Sequence, residues 1–173
     1  MKTHDEINFA TQCEQNRIIQ LEDESTFGKH LWNYYEFISW AKWYPDLYVE
    51  LFKGKDSNRQ LHFDQRTFMR ADMRFMSMYG TFSRGYAKTY TEMLDDMIAG
   101  TLFPNITMSV TAQTRENSAA LMEDKYNEIL TDFPLFENEI EKVRFSKNDA
   151  LIQFKGGAKI TNLANAQTSK GRR

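Results

Sequence analysis

The residues best suited to chemistry lie in one loop, residues 80–89, which reads Gly-Thr-Phe-Ser-Arg-Gly-Tyr-Ala-Lys-Thr. A phosphate-binding loop needs small residues whose backbone N–H groups converge on an anion, a lysine for the terminal phosphates and a hydroxyl for Mg²⁺. Lys88, Thr89 and a helix predicted after them meet three of these requirements. The strict pattern G-x-x-x-x-G-K-[ST] is not met, because Phe82 and Ala87 stand where its glycines belong. Alone, this motif is a weak indication of phosphate binding.

A second cation in the loop strengthens that indication. Arg84 lies four residues before Lys88. In a purely structural turn an unpaired arginine would only repel the nearby lysine. A bound polyanion would give both cations a partner, so the pair favours a phosphate ligand.

The elements that must position this loop follow from the hydrophobic pattern. The apolar run at 75–79 stops at Gly80, as a buried strand would, and a helix is predicted at 89–99 that Gly100 is expected to end. Three further elements are predicted: a strand at 106–110, an amphipathic helix at 115–130 and a β-meander over 140–163. Strand, loop, helix, strand, helix is typical of an open α/β fold, which binds ligands at the carboxyl ends of its strands.

The chain before the loop is of a different kind. The first 25 residues are polar and acidic, and they predict a loose or weakly helical start. The aromatic-rich stretch at 27–52 predicts two short helices broken near Pro45, with core packing favoured over a base-stacking surface. A loop at 53–58 then leads to a helix predicted at 63–74, which carries a stripe of arginines at four-residue spacing: Arg66, Arg70 and Arg74.

Composition limits the class of protein. The chain has 173 residues, 41% of them apolar, which suits one domain or one domain with an appendage. Cys13 is the single cysteine, the start is charged, and no apolar window is long enough for a membrane span, so a soluble intracellular protein is expected. The three histidines lack the spacing of metal ligands, and no metal site built from side chains is expected.

The net charge of −2 conceals a block pattern. Residues 1–50 carry −5, 51–90 carry +5, 91–154 carry −7 and 155–173 carry +5. The two basic blocks suit an anionic partner such as phosphate or nucleic acid. They suit ordinary solvated faces equally well.

With these motifs in order, the chain resembles the large subunit of tailed-phage terminases, the ATP-driven motors that package viral DNA. The resemblance covers about residues 40–173. Members carry a deviant Walker A loop, an upstream aromatic-proline segment, a glutamine before the first strand, and a later strand that ends in small polar residues. The matching residues here are Arg84 to Thr89, Trp43-Tyr44-Pro45-Asp46-Leu47, Gln65, and Ser109-Val110-Thr111-Ala112-Gln113-Thr114.

The resemblance implies a P-loop NTPase core of the RecA/ASCE type, incomplete and preceded by an aromatic-rich helical segment. Residues 1–58 would form the helical segment and linker, and 59–173 a partial ATPase domain that stops before Walker B. ATP and Mg²⁺ would be the cofactors, and the implied nucleotide-binding set is Gln65, Ser83, Arg84, Gly85, Tyr86, Ala87, Lys88 and Thr89.

The resemblance also implies roles. Gln65 would recognise adenine, Arg84 and Lys88 would be catalytic at the terminal phosphates, and Thr89 would bind Mg²⁺. From the residues alone, Gln65 is equally a polar residue at a helix amino terminus. No apolar strand ending in paired acids occurs between Thr131 and Arg173, so an amino-terminal fragment that binds ATP but hydrolyses it negligibly is expected.

In the intact motor the implied partners are double-stranded DNA, the portal protein, the small terminase subunit and further copies in a ring, with no membrane. The implied location is the procapsid portal in the host cytoplasm. Two alternatives stay open: another RecA-like ATPase such as a helicase, and a nucleotide-independent module that binds DNA or protein.

Overall fold

The computed structural model describes residues 26–55, 57–75, 77–83 and 85–164, and for 26–31 and 164 it describes the backbone alone. The chain forms two compact units, Met1–Ala41 and Lys42–Arg173. The boundary predicted after residue 58 falls within the second unit. The predicted start of the chain and Arg84 lie outside the described residues, as does the basic tail.

Five α-helices form in the described part of the chain: α1 Thr26–Trp43, α2 Pro45–Tyr48, α3 Phe63–Asp72, α4 Lys88–Leu102 and α5 Arg115–Asp132. Two 3-10 turns, Val49–Phe52 and Pro134–Glu139, accompany them. Pro45 begins α2, where its missing N–H costs nothing. The helices predicted around residues 63, 89 and 115 are confirmed, with ends shifted by one to three residues.

Four strands form one mixed sheet: β1 Thr107–Ala112, β2 Ile140–Phe145, β3 Ala150–Phe154 and β4 Lys159–Ala164. Their order is β1-β4-β3-β2. β2, β3 and β4 are antiparallel neighbours, which confirms the β-meander, and β1 lies parallel to β4 with Ser109 opposite Thr161. The chain is therefore an α/β protein with a mixed sheet.

The core lies where α4 and α5 pack against this sheet. Ala119, Met122 and Ile129 are buried on α5, as their spacing predicts. The prediction that Gly100 ends the helix before it is wrong. Gly100 lies inside α4, and a Cβ there would come within 2.4 Å of the Phe154 ring. Glycine is needed at this position for close packing and not for a helix end.

The strand predicted at 75–79 is not observed. Its described residues have no regular structure, and Phe75 and Tyr79 are 66% and 93% exposed. A strand must pair its backbone N–H and C=O groups with a neighbour, and the four-stranded sheet does not include this segment. The run was apolar enough to be a strand, but strand formation also depends on a partner that composition does not supply.

The aromatic-rich stretch only partly matches the packing prediction. Tyr48 and Phe52 are buried, and Phe52 stacks on Phe136 at 4.1 Å between ring centroids. Tyr34 and Tyr35 on α1 are instead more than half exposed. Among the described residues, no helix combines the length and apolar character that crossing a membrane requires.

A buried carboxylate joins α2 to α3. Asp46 accepts hydrogen bonds from Arg70 Nε at 2.6 Å and Nη2 at 2.9 Å, and from Arg66 Nε at 2.7 Å. Arg74 lies over the Trp43 ring and donates to the Trp43 carbonyl. The arginine stripe therefore has a structural use, which accounts for part of the basic block at 51–90 without an anionic partner.

Candidate functional site

The end of the 80–89 loop has an unusual backbone. Gly85 and Ala87 both adopt positive φ, at 87° and 52°. Gly85 has open space around it, whereas Ala87 carries a Cβ in the left-handed region that favours glycine. These two residues turn the chain directly into α4.

The loop delivers Lys88 and Thr89 to the first two positions of α4. No side chain caps this helix end, and its first turn holds no acidic residue. The first N–H groups of a helix have no partner inside the helix and carry partial positive charge. The amino end of α4 therefore offers an anion free N–H groups, an ammonium and a hydroxyl.

Two neighbouring residues of α3 brace the loop. Asp64 accepts a short hydrogen bond from the Tyr86 hydroxyl, which raises the pKa of Tyr86. Gln65 accepts from the His62 N–H at 3.0 Å and donates to Thr91 Oγ1 at 2.8 Å. Thr91 Oγ1 also lies 3.1 Å from the Ala87 carbonyl oxygen, so both braces hold the turn before α4.

Gln65 is 1% exposed. Its amide is occupied by these internal contacts, so it acts as the polar residue at a helix amino terminus that the sequence left open as an alternative. Adenine recognition by Gln65 stays a prediction of the resemblance, and it would require the amide to leave these contacts.

One side of the loop forms an aromatic cleft of about 510 Å³. The Phe68 and Phe82 rings meet edge to face at 5.2 Å, and Tyr86 lies 6.4 Å from Phe82. Ser83 lines this cleft, which is enclosed by Asp64, Thr67, Phe68, Ala71, Met78, Gly80, Thr81, Phe82, Ser83 and Tyr86. Flat aromatic walls with a few polar groups suit a ring-shaped ligand.

The other side forms an acidic cleft of about 330 Å³. Within the described residues, Lys88 is its one cation, and Lys88 Nζ lies 3.7 Å from Glu92 Oε1. The cleft is lined by Phe68, Asp72, Met78, Tyr79, Gly80, Lys88, Glu92, Asp95 and Asp96. The ammonium predicted to meet phosphate therefore lies between an uncapped helix end and a group of carboxylates.

Asp95 is the unusual member of the acidic cleft. It is 3% exposed, and neither of its carboxylate oxygens has a hydrogen-bond partner. Burial raises the pKa of Asp95 well above its usual value, and Asp72 raises it further. Burial also raises the pKa of Asp96 to about 7, with help from Asp72 and Glu92.

The structure thus brings Ser83, Gly85, Tyr86, Ala87, Lys88 and Thr89 to one site, with Gln65 beneath it. Sequence reasoning missed Asp64 as a brace and Asp95 as a buried acid. The signal for Asp95 was its position: Thr91, Asp95 and Ile98 recur at helical spacing, and all three are buried. No family model, no curated protein and no solved structure matches this chain.

The strained turn gives a first prediction. Ala87→Gly should raise the free energy of unfolding by about 0.5–1 kcal/mol, because glycine adopts positive φ without a Cβ clash. Ala120→Gly, on the exposed face of α5, is the matched control and should lower it by about 1 kcal/mol. Urea denaturation measures both changes. A loss of stability in Ala87→Gly would show that the left-handed turn is not present in solution.

Proposed function

We propose that this chain is the ATP-binding amino-terminal portion of a tailed-phage terminase large subunit. The observation that carries the proposal is the start of α4. There, a loop with two positive-φ residues places Lys88 and Thr89 on an uncapped helix end. The order of the motifs at Trp43 to Leu47, Gln65 and Arg84 to Thr89 supports this family over other ATPases.

In the proposed site each residue has a distinct task. Lys88 neutralises the β and γ oxygens of ATP, the free N–H groups of α4 accept the phosphates, and the Thr89 hydroxyl holds Mg²⁺. Arg84, which lies outside the described residues, senses the terminal phosphate and stabilises its charge during transfer. Mg²⁺ supplies charge neutralisation of the phosphate oxygens when bound.

The aromatic cleft supports the proposal because it adjoins the same loop. Its volume of about 510 Å³ accommodates a nucleoside, and Phe82 and Tyr86 offer ring faces at its wall. In the complete motor, as in the family, ATP hydrolysis would drive double-stranded DNA through the portal. The small subunit and a ring of further copies would take part at the procapsid in the host cytoplasm.

Calorimetric titration with Mg-ATP tests the proposal. We expect saturable binding at one site per chain, with a weaker response to Mg-AMP because fewer phosphates meet the loop. Absence of binding would reject the nucleotide site and favour the nucleotide-independent module. Equal binding of ATP and AMP would place recognition in the aromatic cleft and not at α4.

A further inference from the structure

The acidic cleft contains more negative charge than its neighbours balance. Asp72, Glu92, Asp95 and Asp96 face one lysine, and that lysine is 3.7 Å from Glu92. Asp72 and Glu92 are exposed at the mouth, where water solvates them, but Asp95 lies at the inner end with both oxygens unpartnered. Buried carboxylates without donors are costly, so the cleft is built for an occupant that supplies positive charge or hydrogen-bond donors.

The geometry excludes a directly chelated ion. Among the described residues, no group of three or more His, Cys, Asp or Glu side chains is placed to hold one metal ion. Calcium takes six to eight direct oxygen ligands, which this cleft does not provide. Magnesium dehydrates reluctantly and is usually held through one or two carboxylates while it keeps several waters.

Size agrees with a hydrated ion. Six waters at about 30 Å³ each need roughly 180 Å³. The acidic cleft offers about 330 Å³. Metal-bound waters donate hydrogen bonds, which are the groups that both Asp95 oxygens lack.

We propose that the acidic cleft binds a hydrated Mg²⁺ ion, with Asp95 as the principal acceptor and Asp96 and Asp72 as supporting acceptors. This site is separate from the ion that accompanies ATP at Thr89. It needs no nucleotide, so it does not depend on the proposed function. It would also offset the acids beside Lys88 and leave that ammonium freer to meet an anion.

In the absence of Mg²⁺ a proton balances part of this charge. Asp72 faces Asp95 from α3, while Lys88, Glu92 and Asp96 face the cleft from α4 and Tyr79 from the preceding segment. The raised pKa values of Asp95 and Asp96 show that these groups retain protons near neutral pH. Mg²⁺ binding should therefore release protons, which calorimetry in buffers of different ionisation enthalpy detects.

The test uses the chelator-treated, nucleotide-free chain and Mg²⁺ alone. We expect saturable Mg²⁺ binding with proton release, and about a 10- to 100-fold loss of affinity in Asp95→Asn. Asp124→Asn, an exposed acid on α5, is the matched control and should bind Mg²⁺ like the unmodified chain. Hexaamminecobalt(III), whose ligands do not exchange, should compete with Mg²⁺ because the site uses the outer shell of the ion.

Three results would overturn the proposal. One is the absence of saturable Mg²⁺ binding, and another is unchanged affinity in Asp95→Asn. The third is Asp95-dependent binding of guanidinium but not of Mg²⁺, which would assign the cleft to an arginine side chain. Asp95→Asn removes an uncompensated buried charge and should fold at least as well as the unmodified chain, so loss of folding does not obscure the measurement.

Discussion

Without divalent cations, the chain should lose stability as pH rises from about 5 to about 8, by up to about 4 kcal/mol. The cause is the acidic cleft, where burial raises the pKa of Asp96 to about 7 from an ordinary value of 3.8. The folded state then binds a proton that the unfolded state releases near pH 4. Its contribution is present below the unfolded pKa and is lost as pH rises through the folded pKa. Because Asp96 is not fully buried, 4 kcal/mol is an upper value.

The double variant Asp95→Asn with Asp96→Asn should flatten this profile, because it removes both buried acids. Asp124→Asn keeps the cleft intact and should retain the slope. Urea denaturation at a series of pH values, with chelator present, measures the profile. A flat or rising profile in the unmodified chain would contradict the burial of these acids.

Arg70→Met should destabilise the chain by about 3 kcal/mol. Asp46 is buried, and Arg70 makes two of its three hydrogen bonds from an arginine. Burial alone would raise the pKa of Asp46, but the hydrogen bonds from Arg70 and Arg66 outweigh it and lower that pKa. Removing Arg70 leaves a buried carboxylate with Arg66 alone, which is the costly way to break such a pair.

Arg74→Met is the matched control for that substitution. Arg74 is exposed and stacks on Trp43, so its loss should cost about 1 kcal/mol or less. Denaturation at neutral pH compares the two variants. Equal losses would mean that Asp46 is solvated and that the arginines are interchangeable surface charges.

Local pattern was sufficient for the elements that form from their own residues. The helix at 115–130 and the β-meander were predictable because their apolar residues recur at periods of 3.6 and 2. The parallel pairing of β1 with β4 was not predictable, since it joins Thr107 to Lys159 across fifty residues of chain. The failed strand at 75–79 has the same origin, because pairing is a long-range property.

The site shows the same division. The types and spacing of Lys88 and Thr89 fixed their place at a helix start, because loop chemistry and helix periodicity are local. The burial of Gln65 and Asp95 depends on how α3 packs against α4, which no spacing rule specifies. The Asp46 network likewise needed the fold, since its arginines lie 20 and 24 residues away.

The central claim is that the amino end of α4 binds the phosphates of ATP, and one comparison tests it most directly. Lys88→Ala and Lys147→Ala each remove an exposed lysine that lies 3.7 Å from a glutamate oxygen, but Lys147 lies between β2 and β3. Calorimetric titration of both variants with Mg-ATP should show about a 10- to 100-fold loss of affinity for Lys88→Ala, because its charge-assisted contacts to phosphate are lost. Lys147→Ala should bind like the unmodified chain, and equal affinities for the two variants would contradict the proposed phosphate site.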